Sequence, residues 1–267
     1  MSEQFEARWL ALREHADAVA RAPGVAAALS QAFAGRQGAS SPLRVLDLGA
    51  GAGNNLRATA PLLPAPQHWT LVDSDAGLLA EALRERPEGV TAEEKVADLA
   101  DGLEPLLEPA ALPDLVTASA LFDLCSEEWI AAFVATLTAA RLPFFTVLSY
   151  DGRQDWQPPH PLDTAVLEAF HRDQRRDKGL GPALGPDAHD ALAGMLRNAG
   201  YSVIEGTSDW VLDAPADDAL IAALAAGTAA AVGPALGADA SVWGAARAGA
   251  SPVRIGHMDL LALPPSR

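Results

Sequence analysis

Asp47, Gly49, Gly51 and Gly53 stand at alternate positions in DLGAGAGNN, residues 47–55, directly behind the apolar residues of LRVL. Glycines so placed let a chain leave a strand and enter a helix with backbone N–H groups and the helix N-terminus facing a ligand, with no Cβ in the way. A dinucleotide site would read G-x-G-x-x-G, and here the residue three after Gly51 is Asn54, which weakens a pyrophosphate reading. Asp47 points the same way: a carboxylate opposes a pyrophosphate and suits a cationic ligand or an amino group. Further along, Asp73 follows the apolar strand-like WTLV 20 residues after Gly53, the position of a ribose-binding acid in a βαβ unit. Asp75, two residues on, reads as the cap of the next helix. A histidine able to take a proton near neutrality, His160, lies in a proline-stiffened loop just after Tyr150.

These residues need a scaffold, and the apolar periodicity supplies one. Phe5, Trp9, Leu12, Val19, Val25, Leu29 and Phe33 recur at helical spacing, giving an N-terminal helical cap over residues 1–38. From residue 39 onward strands alternate with helix-length segments. LRVLDLG, HWTLVDSD, VTAEEKVADL, PDLVTASALFDL and PFFTVLSY read as strands. SEEWIAAFVATLTAAR reads as a helix capped by Ser126. This pattern predicts an α/β domain over residues 39–267, with a mostly parallel sheet covered on both faces. DGRQDWQPPHPLD breaks the rhythm with three prolines and opens a lid-like insertion around residues 151–190. YSVIEGTSDWVL and RIGHMDLLALP then read as two final strands around an alanine-rich helix, with Gly200 ending the helix before them.

With its elements in this order the chain resembles the class I S-adenosylmethionine-dependent methyltransferases, of the type acting on small molecules. Their first motif has the form acid-x-G-x-G-x-G, which DLGAGAGNN matches. The resemblance covers roughly residues 40–150 in register and more loosely the two final strands, and it implies a Rossmann-like seven-stranded sheet. It also implies S-adenosyl-L-methionine as cofactor. Asp47 would lie at the cofactor's polar end, Gly49, Ala50, Gly51, Gly53 and Asn54 at its methionine and ribose, and Asp73 and Ser74 at the ribose hydroxyls. Asp98 and Leu99 would flank the adenine, with Ser119 and Ala120 beneath the sulfonium. No N-P-P-Y or D-P-P-Y tetrapeptide follows the fourth strand, which disfavours adenine and glutamine amino methyltransferases. No acidic set matches the magnesium site of catechol-type enzymes, and no metal is expected.

Methyl transfer is an in-line displacement that needs alignment above all, with a base only where the nucleophile still carries its proton. His160, Tyr150 and Asp123 are the candidates for catalysis. Phe122, Tyr150 and Trp156 are candidates for lining the substrate pocket, although aromatic residues there equally serve a core. FHRDQRRDKG gathers His171, Arg172, Arg175, Arg176 and Lys178 in an acidic chain. Arg172, Arg175 and Arg176 share a helix face that would clamp an anionic metabolite, or simply pair with Asp173 and Asp177 in solvent.

Charge and composition narrow the partners. Nineteen basic against 35 acidic residues give a formal net charge of -16, which repels nucleic acid and anionic lipid at long range. A single cysteine, Cys125, excludes an intrachain disulfide and fits a cytoplasmic setting. Glycine and proline interrupt ALIAALAAGTAAAVGPALGA, favouring a packed helix over a membrane span. A small-molecule methyltransferase is the expectation. A protein or RNA methyltransferase and a non-catalytic S-adenosylmethionine-binding protein are the alternatives, and the oligomeric state stays open.

Overall fold

A computed structural model describes residues 3–265 apart from 37, 39, 109 and 110. LRVLDL, apolar except for Arg44 and Asp47, is buried at every position but Arg44 and forms β1 (Leu43–Leu48). It is flanked by parallel partners on both sides, β2 (Gln67–Asp73) and β4 (Leu115–Ser119). A strand covered on both faces reads as a near-continuous apolar run. β3 (Val90–Val96) adds to β2, and β5 (Phe144–Trp156) to β4, both parallel. The chain then returns antiparallel: β8 (Val253–Leu263) pairs with β5, with the edge strand β6 (Ser202–Thr207) and with the short β7 (Trp210–Leu212). Among the described residues the sheet runs β3-β2-β1-β4-β5-β8-β6, with β7 beside β8, a doubly wound, Rossmann-like arrangement.

Two expectations change in detail. The sheet has an eighth strand, because the WVL of SDWVL pairs with the start of β8. The fifth strand does not stop at Tyr150, because Gln154, Asp155 and Trp156 pair with Ile255, Arg254 and Val253. The polar DGRQD segment reads as a turn in isolation, yet β8 offers it a ladder. The proline-rich loop therefore begins at Gln157.

Helices cover both faces. α5 (Glu127–Ala140) and α7 (Ala188–Asn198) bury apolar side chains in one core. α2 (Pro23–Phe33), α3 (Asn54–Thr59), α4 (Ala76–Arg84), α6 (Asp163–Gln174), α8 (Asp218–Leu236) and α9 (Ala238–Arg247) do so in the other. Ser126 caps α5 by accepting from Trp129 N at 3.2 Å, and Asp75 caps α4 by accepting from Gly77 and Leu78 N–H. α8 is long and apolar enough to cross a membrane by composition. It buries the stripe Leu220, Ile221, Ala225, Thr228 and Val232 against its neighbours, which include α6, α9 and α1 (Glu3–Val19).

One buried carboxylate ties the N-terminal helices to the sheet. Asp259 on β8 accepts from Ala22 N at the head of α2 and from Leu148 N, each at 2.9 Å. Leu148 has φ 56 and sits in a bulge of β5, where the register to β8 shifts between Thr146 and Ser149. The bulge turns an N–H out of the ladder and Asp259 receives it. Arg21 also lies within electrostatic reach of this carboxylate. Asp259→Ala should cost about 3–5 kcal/mol, since it strands two buried N–H groups and a buried cation. Asp259→Asn, which keeps one acceptor, should cost less. Urea denaturation of the two variants measures both, and an alanine variant as stable as the parent would contradict this anchoring.

Candidate functional site

The C-terminal ends of β1, β2, β3 and β4 open into a cavity of about 540 Å³. The floor is the glycine turn. Gly49, Gly51 and Gly53 all have positive φ, at 63°, 50° and 84°, so each adopts backbone that L side chains rarely enter. Ala50 N donates to Val72 O at 2.9 Å, which pulls the turn onto β2. Gly49 and Gly51 line the cavity. Gly53 faces away from it, packed so closely on α4 that a Cβ would lie 2.9 Å from Ala82 Cβ. It therefore takes the helix-packing role of the third glycine of a dinucleotide motif, one position earlier than that motif places it.

Asp73, ending β2, accepts from Gly51 N at 2.8 Å through Oδ2 and from Asp75 N at 3.0 Å through Oδ1. Both oxygens are thereby fixed at the cavity wall, each with a further lone pair to offer. Ser74 lies beside it, and Asp98 and Leu99 form the next wall, the Asp98 carboxylate accepting from Ala100 N at 2.9 Å. Ser119 and Ala120 complete the floor, with Ala120 held at φ 51. Leu121 and Leu124 make one end apolar.

Asp47 lies outside the lining. It is fully buried beneath the turn, and its Oδ1 accepts from Asn55 Nδ2 at 2.7 Å. Burial pushes its carboxyl up to about 7, against the opposing pull of the Asn55 hydrogen bond and the Arg21 guanidinium. Asn55 uses every hydrogen-bonding position of its amide: it donates also to Thr117 Oγ1 and accepts from Arg21 and Thr59. Asp47 thus supports the turn from below and has no surface toward the cavity. Ala50 and Asn54 are also outside the lining, and the Asn54 amide donates to Leu10 O at 2.9 Å.

The roof was not singled out from sequence. α1 lies across the glycine turn, bringing Trp9, Leu10 and Arg13 into the cavity wall. Arg57 of α3 pairs with Glu14, and Leu10 Cδ1 would be 3.1 Å from a Cβ on Gly51. Arg13 donates through Nε to Asp17 at 2.8 Å and sits over the Trp210 ring, 5.6 Å from its centroid. Arg13, Asp17 and Arg21 recur at four-residue spacing, a polar line running along α1 and just past its end, in a segment otherwise read for its apolar positions. That line was the available signal. The chain from Lys178 to Leu180, beyond α6, closes the remaining side.

The substrate and catalytic candidates are distributed differently from expectation. Phe122 is fully buried against Trp129, Phe133 and Phe144, because the turn after β4 rotates it into the core. Trp156 packs edge-on against Trp243 at 5.3 Å, outside this cavity. Arg172, Arg175 and Arg176 line no part of it; Arg175 pairs with Asp187 and Arg176 with Asp173. The cation from this segment that reaches the cavity is Lys178. His160 is engaged in its own turn, where its Nδ1 accepts from Leu162 N at 3.2 Å. The Tyr150 hydroxyl accepts from Gln154 Nε2 at 3.0 Å and meets His171 Nε2 at 3.1 Å. Burial pushes Tyr150 up and His171 down, so the pair stays a neutral hydrogen bond in which the tyrosine donates. Asp123, on the turn between Leu121 and Leu124, is buried and lies outside the lining as Phe122 does.

No family model and no curated protein matches the chain. Among solved structures, a cyclopropane-fatty-acyl-phospholipid synthase-like protein from Lactobacillus casei superposes over 97% of this chain and 100% of its own, at 18% identity and a TM-score of 0.51. A methyltransferase from Geobacter sulfurreducens bound to S-adenosylhomocysteine covers 97% and 98%, at 16% identity and a TM-score of 0.48. Another from Thiobacillus denitrificans, also with S-adenosylhomocysteine, covers 98% and 99%, at 18% identity and a TM-score of 0.47. At such identities the likeness to the first of these speaks to the fold alone.

Two measurements test the glycine turn and its support. Gly53→Ala should destabilise the chain by about 2–3 kcal/mol, since its Cβ would strike the Ala82 backbone as well as its side chain; a melting temperature unchanged from the parent would refute the close packing. Asp47, raised in the folded chain to about 7 from an ordinary 3.8, keeps its proton where the unfolded chain releases it. Its favourable contribution is complete below about pH 4, falls between pH 4 and 7, and is constant above. Asp47→Asn abolishes that fall, so the variant should gain roughly 2–4 kcal/mol on the parent between pH 4 and pH 8. Urea midpoints at the two pH values read the difference, and parallel pH profiles would refute it.

Proposed function

We propose that the chain is an S-adenosylmethionine-dependent methyltransferase acting on a small molecule in the cytoplasm. The observation that carries this is Asp73: a carboxylate at the end of the second strand, with both oxygens fixed by backbone N–H groups at the rim of the glycine turn, where a carboxylate would repel a pyrophosphate. In this reading Asp73 receives the ribose hydroxyls, and Asp98 and Leu99 receive the adenine. Gly49 and Gly51 let the backbone approach the methionine portion. Arg13, with Nε committed to Asp17, presents its remaining guanidinium nitrogens to the cofactor carboxylate.

When bound, the cofactor supplies a sulfonium methyl group. Ser119, Ala120, Leu121 and Leu124 form the surface against which that end lies. Charge disperses as a sulfonium becomes a thioether, so an apolar wall there favours the reaction. α1 covers the cavity from above through Trp9, Leu10 and Arg13. The acidic chain and the roofed cavity support a small acceptor over a nucleic acid.

Calorimetry with S-adenosylhomocysteine tests the cofactor reading. Binding is expected, weakened 10–100-fold in Asp73→Ala, as for loss of a charged hydrogen-bond acceptor. Absence of binding by the parent chain would overturn the proposal. Transfer of labelled methyl into a metabolite extract, and not into a protein extract, is the expected acceptor result.

A further inference from the structure

Trp9 lines two cavities. One is the cavity over the glycine turn. The other is a pocket of about 350 Å³ between α1 and α8, lined by Arg8, Trp9, Leu12, Ala219, Ala222 and Ala223. Residues four apart share a face of a helix, so Arg8 and Leu12 meet α8 together. Leu10 and Arg13 meet the glycine-turn cavity, and Trp9 falls between the two faces as their common wall.

The pocket exists because α8 presents alanines there. A methyl group reaches only a short way from the helix, so α1 and α8 touch without filling the space beside the indole and Leu12. α8 is unusual in a second respect. No charged side chain stands between Asp218 and Asp239, yet only five of the nineteen helix residues are buried. An apolar surface left open in this way marks an interaction site. A net charge of -16 opposes a second copy and an anionic bilayer there. A concave pocket one indole away from the cavity fits part of a small molecule whose other end lies in that cavity.

We propose that this pocket takes the hydrocarbon chain of the methyl acceptor, so the acceptor is a free single-chain amphiphile. Its polar, methyl-accepting group lies in the cavity and its chain passes the edge of Trp9 into the space between α1 and α8. The inference rests on the methyltransferase reading for the polar end, and on the lining of the pocket for the chain. Each methylene taken out of water there should tighten binding about fourfold.

The parent chain and Ala223→Phe, which fills the pocket, are first titrated with S-adenosylhomocysteine, and both should bind it alike. A parent that fails to bind refutes the methyltransferase reading, whereas the chain-binding role is judged separately with 1-butanol, 1-hexanol and 1-octanol. Their affinity for the parent should climb about fourfold per methylene, and octanol binding should weaken at least roughly tenfold in Ala223→Phe. Ala222→Leu, a smaller filling of the same wall, serves if phenylalanine disturbs the fold. The indole N–H resonance of Trp9 reports the shared wall: it should move with either ligand in the parent and with S-adenosylhomocysteine alone in the variant. Labelled methyl transferred into a metabolite extract should partition into organic solvent, and Ala223→Phe should form at least tenfold less of that product. Affinities independent of chain length, octanol binding untouched by both substitutions, or labelled product confined to the aqueous phase would each overturn the proposal. So would a parent dimer that Ala223→Phe dissociates, which assigns the pocket to a second copy, or vesicle binding that the variant loses, which assigns it to a bilayer.

Discussion

The position of the glycine turn depends on the side chain amide of Asn55. Its two N–H groups go to Asp47 on β1 and Thr117 on β4, and its oxygen accepts from Arg21, after α1, and Thr59 at the end of α3. One small side chain therefore joins two neighbouring strands, the helix that follows the turn and the link between the two N-terminal helices. Every hydrogen-bonding position it has is used, which matters because an amide with an open position in so dry a place would cost more than its remaining bonds return. A glutamine could not replace it, since an added methylene would push the amide past both strands.

The buried charge around this amide explains why the N-terminal helices sit where they do. Asp17, Asp47 and Asp259 are all buried, and burial raises the carboxyl of each. Arg21 lies within electrostatic reach of the three and is itself lowered by burial. Acids and a cation taken out of water are tolerable only together. Bringing Arg21 to the sheet brings α1 with it, and α1 then lays Trp9, Leu10 and Arg13 over the glycine turn. The roof of the cavity is thus a consequence of how the charges beneath it are neutralised.

The residues legible in the sequence divide along the same line. Asp73, Asp98, Ser119 and Ala120 occupy strand ends, and strand ends are marked locally by an apolar run giving way to polar or small residues. Ser126, Asp75 and Gly200 are punctuation of the same local kind. Trp9 and Lys178 depend on how one element lies across another, and no local period carries that; the spacing of Arg13, Asp17 and Arg21 marks a polar line but not what it covers. Asp47 shows a subtler limit: its motif position was legible, but only the Asn55 contact reveals that its carboxylate faces inward. Tyr150 and Trp156 were displaced by a long-range effect, because β8 extends a strand that the sequence Asp-Gly-Arg-Gln-Asp would have ended.

The same geometry bears on how an acidic protein can admit an anion to this cavity. With a net charge of -16, the mean field opposes entry of any anion, and Arg175 and Arg176, just beyond α6, are spent on Asp187 and Asp173. Screening limits that opposition to about 8 Å at physiological salt. Inside the cavity local charges decide, and there Lys178 and Arg13 share the wall with Asp73 and Asp98. Acids cluster toward the ends of β2 and β3, and cations toward the roof and the end of β4. A ligand carrying hydrogen-bond donors at one end and a carboxylate at the other would be oriented by that asymmetry alone. For a displacement whose main requirement is alignment, orientation is the larger part of what the protein must provide.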